Sequence, residues 1–272
     1  MIKITIGQYY PAQSFIHRMD ARMKLLCTII FITILFFIGN FLGYAFAAAY
    51  LLTMIKISKV PIKFLFRGFR AIFFIIAFTA ILNMFFTAGE VVLLQLGGVR
   101  ITQEGLTNAA RMAIRLVMLL MGSSLLTLTT TPIQLTDAIE FALKPLKRVG
   151  VPAHEIAMMM TIALRFIPTL IEEMDKIMKA QMARGADFDT GGLIKKAKSL
   201  VPLLVPLFIS SFRRADELAL AMEARCYRGD VGRTRMKQMR MASLDYKALF
   251  IMVLFILCIL FLEYVAGIWG IW

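Results

Sequence analysis

The chain is 272 residues long, 60% of them hydrophobic, with a mean hydropathy of +0.76; soluble domains run nearer half apolar, so lipid is the expected solvent. Its net charge of +14 comes from 31 Lys and Arg against 17 Asp and Glu. Those charges lie beside apolar runs, so they read as positive-inside bias and attraction to anionic headgroups, not as a nucleic-acid surface. Cys27, Cys226 and Cys258 stand far apart, as do His17 and His154, which excludes a disulfide framework and leaves almost nothing from which to build a zinc site.

In chain order, the first apolar run is Leu25 to Ile38, preceded by Arg18, Arg22 and Lys24. A signal peptide cleaved near Ala45-Phe46-Ala47 is disfavoured, because the charged leader is too long and apolar character resumes at once. Gly39-Asn40 reads as a hairpin turn between spans at 24–39 and 41–57. Lys56, Lys59, Lys63, Arg67 and Arg70 follow with no acid among them, the mark of a cytoplasmic loop. A third span is expected at 71–87. Glu90, Glu104 and the Gly97-Gly98 turn place 88–105 on the opposite face, and a fourth span covers 106–131, ending at Pro132.

Residues 132–245 never offer twenty uninterrupted apolar positions and are expected to form a cytoplasmic domain. It reads as a short amphipathic helix over Pro132 to Lys147, then two long helices, Glu155 to about Ala183 and Lys195 to about Arg225. Pro168 is expected to kink the first, and Pro202 and Pro206 to disturb the second. Gly185, Gly191 and Gly192 separate them. Residues 246–272 supply a fifth span, with Lys247 at its inner end and Trp269 and Trp272 as outer anchors. Span parity and charge bias agree on an inside N-terminus and an outside C-terminus. The expected fold is therefore an all-α polytopic membrane protein, with a membrane region at 1–131 and a coupling domain of about three helices inserted before the last span.

No P-loop, HExxH, GxSxG or acidic metal run is present, so an enzyme has no residues to stand on. Spans one, two, three and five carry no ionisable group at their centres, whereas a self-sufficient carrier should. Arg111 and Arg115 lie one turn apart at the outer end of span four. Two readings stand for them, snorkelling to the interface and substrate contact. Asn83, Ser123 and Ser124 are ordinary helix–helix glue.

The distinctive feature is a repeat. One long helix ends Ala183-Arg184-Gly185 and the next ends Ala224-Arg225-Cys226, 41 residues on. A single such end is explained by dipole complementarity and a glycine cap. Two of them, at the tips of a basic arm, suit docking: the guanidinium fork pairs bidentately with carboxylates in a groove. Met174, Met178 and Met182 recur every fourth residue, fitting either a surface that repacks or plain core filling.

At these residues the chain resembles the transmembrane T component, EcfT, of energy-coupling factor transporters (the CbiQ/EcfT-like family), relatives of ATP-binding-cassette systems. The likeness includes Asp20-Ala21-Arg22-Met23-Lys24-Leu25, where the family shows Asp-Pro-Arg-Thr-Lys-Leu. It continues through Arg165-Phe166-Ile167-Pro168, Ala183-Arg184-Gly185, Arg214-Ala215-Asp216 and Ala221-Met222-Glu223-Ala224-Arg225. Ala21 replaces a proline. Cys226 replaces the second glycine, a poor residue for a left-handed cap, and Arg228-Gly229 is a competing pair downstream.

The resemblance implies a non-catalytic subunit of a bacterial plasma membrane importer, with no cofactor of its own. Its implied partners are two cytoplasmic ATPases, each taking one Ala-Arg tip, and a membrane-embedded substrate-binding S component that ATP-driven motion topples. Rival expectations are a T component dedicated to one cobalt, nickel or biotin system, a pore-forming permease that binds cargo itself, and a lipid-binding scaffold.

Overall fold

The computed structural model describes residues 9–87, 91–96, 99–186, 188, 192–229 and 241–269. In chain order these form α1 (Phe15–Arg18), α2 (Ala21–Phe37), α3 (Phe41–Ser58), α4 (Ile62–Phe86), β1 (Val92–Leu96), β2 (Val99–Thr102) and α5 (Gln103–Thr129). Then come α6 (Pro132–Leu143), a 3-10 turn at Lys144–Val149, α7 (Ala153–Ala183), α8 (Leu193–Ala224) and α9 (Ser243–Trp269). Helix dominates throughout, as an all-α polytopic membrane protein requires. The chain divides into two compact units, Met1–Ala138 with Gln238–Trp272, and Ile139–Lys237, the division falling within α6.

The first unit is built by α2, α3, α4, α5 and α9. Its core joins Phe31 and Leu35 of α2, Tyr44, Ala47 and Leu51 of α3, Met118 of α5, and Met252, Phe255 and Ile259 of α9. Tyr50 stacks on Phe255 at 4.2 Å between ring centroids, and such offset pairs add to simple burial. The opposite faces of α4 and α9 present Phe73, Phe74, Phe78, Phe86, Phe250, Leu257 and Phe261 outward, which only a hydrocarbon solvent makes favourable. Among the described residues, four helices are long and apolar enough to cross a membrane: Phe41–Ser58, Gln103–Thr129, Ala153–Ala183 and Ser243–Ile268. The helix α2, at 17 residues, sits at the short end of the spanning range, and the apolar part of α4 is Ile72–Phe86.

Polar groups stitch the two ends of this bundle. Asp245, only 2% exposed, accepts the Asp20 N–H through Oδ1 at 2.9 Å and the Ala242 N–H through Oδ2 at 2.8 Å, tying the start of α9 to the start of α2. Asp20 caps α2 by accepting the Arg22 N–H at 2.9 Å, satisfying one of the orphan donors of a helix start. Lys24, 5% exposed, donates to the Thr129 carbonyl at 2.9 Å and the His17 carbonyl at 3.3 Å. It thereby closes the end of α5, where unpaired carbonyls attract a cation. At the far end Gly39 N–H donates to Glu263 Oε1 at 2.9 Å. Arg115 donates to the Tyr44 hydroxyl at 2.7 Å and to the Ile38 carbonyl at 3.2 Å. Arg115 therefore folds back over the α2–α3 turn instead of reaching outward, while the Arg111 guanidinium lies over the Phe41 ring at 5.4 Å.

Several sequence expectations shift. The helix that carries the third span starts before the expected apolar stretch at 71: α4 begins at Ile62, so Lys63, Arg67 and Arg70 occupy helix, not loop, while its apolar part is Ile72–Phe86. The segment at 88–105 contributes an antiparallel hairpin, with Val92 opposite Thr102 and Leu96 opposite Val99; the expected Gly97-Gly98 turn lies outside the described residues, as do Glu90, Gly191 and Trp272. The short helix expected over Pro132 to Lys147 ends at Leu143 and hands over to the 3-10 turn, closed by Gly150 at φ 89°. Both long helices run past their prolines as expected, with Pro168 inside α7 and Pro202 and Pro206 inside α8.

Candidate functional site: two arginine-capped helix ends

The second unit holds the repeated ends, and each folds by the same rule. Ala183 is the last residue of α7 and Arg184 its C-cap, at φ −88° and ψ 6°. Ala224 is the last residue of α8 and Arg225 its C-cap, at φ −93° and ψ 13°. Beyond the first cap, Gly185 N–H donates to the Met182 carbonyl at 2.9 Å and Ala186 N–H to the Gln181 carbonyl at 3.0 Å. Beyond the second, Cys226 N–H donates to the Glu223 carbonyl at 2.8 Å and Tyr227 N–H to the Met222 carbonyl at 3.1 Å. Both are the paired hydrogen bonds of a Schellman cap.

That cap needs a left-handed residue just past the helix. Gly185 meets the need at φ 88°, and Cys226 meets it at φ 54°. A side chain in this region costs roughly 1–2 kcal/mol; the two hydrogen bonds of the cap offset it. The substitution of glycine by cysteine therefore leaves the second end with the geometry of the first. The downstream pair Arg228-Gly229 lies beyond the helix end, since α8 stops at Ala224. Ala183, Arg184, Gly185, Ala224, Arg225 and Cys226 are all exposed.

What holds the two helices together was not visible in the sequence. Glu173 of α7 receives Arg214 Nη2 of α8 on Oε2 at 2.7 Å, and the Ser210 hydroxyl on Oε1. Glu173 stands 11 residues before Arg184, and Arg214 stands 11 residues before Arg225. The cross-link thus sits about 16 Å back from each tip, at 1.5 Å per residue. Leu193 lies about 31 Å before Arg214 by the same rule. Running α7 and α8 in parallel would then separate Ala183 from Leu193 by about 47 Å, whereas ten residue steps reach at most about 35 Å. The helices must cross in broadly opposed directions, which sets the two arginine tips roughly 25 Å or more apart. A second polar contact in this unit joins α6 to the start of α7, with His154 Nδ1 at 3.1 Å from Glu140 Oε1.

Among the described residues no group of His, Cys, Asp and Glu is arranged to hold a metal ion. The fold thus defines a polytopic membrane protein whose distinguishing feature is a crossed helix pair with matched arginine ends. Residues 12–239 match the family model described as cobalt transport protein, CbiQ. The energy-coupling factor transporter transmembrane protein EcfT of Thermosediminibacter oceani is 59% identical over 248 residues, covering 91% of this chain and 93% of that protein. Its counterpart in Clostridium kluyveri is 58% identical over 250 residues, with 91% and 93% covered. The one in Ruminiclostridium cellulolyticum is 53% identical over 262 residues, with 96% and 98% covered. The chain belongs to this CbiQ/EcfT family, the transmembrane components of energy-coupling factor transporters, and its role by family is transport without catalysis.

Proposed function

We propose that Arg184 and Arg225 are the anchors by which this T component grips two cytoplasmic ATPase subunits, one tip to each. The reading is carried by one observation above all: two exposed arginines on identically capped helix ends, held about 25 Å or more apart by a crossed pair. Each guanidinium offers a planar fork to a carboxylate-lined groove, and the small residues flanking it let the helix end enter. With no nucleotide motif in the sequence, energy would reach this chain through what the tips hold. Closure of the ATPases would swing α7 and α8, and those helices would move a membrane-embedded S component that carries the vitamin or micronutrient. In this reading the unit at 139–237 and the N-terminus lie in the cytoplasm and the C-terminus outside.

Arg184→Glu combined with Arg225→Glu should abolish co-purification of the ATPases while leaving membrane insertion intact. Undiminished recovery of ATPase with the double variant would overturn the anchoring role. A second reading, a T component dedicated to one metal system, draws on the cobalt transport description of the matching family model. Competition among several different S components for the purified complex would exclude it.

A further inference from the structure

We propose that the slot enclosed by α2, α3, α5 and α9 receives the acyl end of an anionic phospholipid whose phosphate rests against Arg18, Lys56 and Lys247. The slot is a cavity of about 120 Å³. Its floor is Phe31, Tyr50 and Gly122; at the other end Lys24 and Thr129 are buried and joined by a hydrogen bond, and the mouth lies where Ile57 and Ile251 are exposed. From Lys24 to Phe31 on α2 the lining runs about 10 Å. Tyr50 to Ile57 on α3 and Gly122 to Thr129 on α5 cover the same depth. On α2, α3 and α5 the lining therefore runs inward from the helix ends that carry Lys24, Lys56 and Thr129, as a lipid tail entering from one leaflet requires. Gly122 makes the floor possible, because a Cβ there would meet Phe31 Cε1 at 2.9 Å.

The mouth selects the headgroup. Arg18, Lys56 and Lys247 are exposed, and each is the chain neighbour of a lining residue: Met19, Ile57 and Ala248. Lys24 adds a buried positive charge among them. The acids close by, Asp20 and Asp245, keep their charge while accepting backbone N–H groups, and Arg18, Lys24, Lys56 and Lys247 outnumber them at this end of the bundle. Asp245 spends both oxygens on the Asp20 and Ala242 N–H groups, and Asp20 caps α2. A cationic rim over an apolar slot is complementary to a phosphate on an acyl chain, each basic residue near an anionic surface contributing separately. The size argues against a protein helix as occupant. A helix with its side chains is about 10–12 Å across, whereas a dry cavity of about 150 Å³ takes a group the size of benzene.

The test uses the full chain in phosphatidylcholine nanodiscs containing a trace of phosphatidylglycerol with a diazirine on its acyl chain. Photolabelled residues are mapped by mass spectrometry. Labelling should concentrate at Tyr50, Met54 and Met252. Unlabelled phosphatidylglycerol should compete, while added phosphatidylcholine and millimolar inorganic phosphate should not. Replacing Arg18, Lys56 and Lys247 by Gln, surface changes that spare the fold, should cut slot labelling by roughly fivefold per charge removed. Labels spread evenly over the outer faces of α4 and α9, or equal competition by phosphatidylcholine, would mean annular lipid only and overturn the proposal. So would displacement by inorganic phosphate, which would leave an anion site without a lipid. Protection of Met54 and Met252 by added subunits but not by unlabelled lipid would assign the slot to a protein partner instead.

Discussion

Replacing Glu173 by Ala removes one acceptor that serves both Arg214 and Ser210, and so tests whether the two tips are held as a unit. The side chains of Glu173 and Arg214 are 23% and 38% exposed, so water and salt screen the pair. An exposed ion pair of this kind is worth about 0.2–1 kcal/mol, and the hydroxyl bond about 0.5–1.5 kcal/mol more. The expected loss is about 1–2 kcal/mol of helix–helix association, with no loss of the helices themselves. The mechanical effect is larger than the energy suggests. With a lever of about 16 Å on each side, loosening the crossing by about 10° moves each tip by roughly 3 Å. Spin labels at positions 182 and 221, on a cysteine-free background, would read this as the width of the tip-to-tip distance distribution. Glu173→Ala and Arg214→Glu should each broaden it, and Glu173→Arg with Arg214→Glu should narrow it again. A distribution unchanged by Glu173→Ala, or a charge swap no narrower than the single variants, would refute the clamp.

Cys226→Gly should raise stability by about 1 kcal/mol and leave ATPase binding within a factor of two, because the left-handed backbone is already formed there; thermal unfolding checks it. Asp245→Asn keeps one acceptor oxygen and loses the other, so the start of α9 should loosen from α2 at a cost of about 1–3 kcal/mol, seen as faster amide exchange at Asp20 and Ala242. His17 is expected to give pH dependence. Burial holds its ring below the ordinary 6.5, the Tyr10 carbonyl opposes this, and the Lys24 charge lowers it further. Since the folded pKa is depressed, its contribution is complete above pH 6.5 and fades as pH falls through the lower folded value. Amide exchange across 14–19 should therefore accelerate below pH 6.5, and His17→Gln should flatten the profile.

The parts of this fold that local chemistry governs were readable in the chain. Gly39-Asn40 marked the first hairpin, and Asn40 does cap α3. The Ala-Arg repeats marked the helix ends to within a residue. Long-range pairing was not readable: nothing near Glu173 in sequence announces Arg214, and nothing near Lys24 announces the Thr129 carbonyl. The charges between 56 and 70 mark a membrane boundary but not a loop, because a helix can begin in the polar region before its apolar stretch does, as α4 begins at Ile62 ahead of Ile72–Phe86. Proline within a long helix bends it more readily than it ends it. It forfeits one backbone bond and strains its own turn, but α7 and α8 are long enough to continue on either side.

The most direct test of the anchoring claim is the affinity of the purified ATPase pair for the intact chain in nanodiscs, compared across the wild type, Arg184→Glu, Arg225→Glu and the double variant. If each arginine enters a groove and pairs there with carboxylates, each single change should weaken binding by at least about thirtyfold, from 2–5 kcal/mol per desolvated pair, and the double variant should not bind measurably. Single and double variants all binding within threefold of the wild type would contradict it.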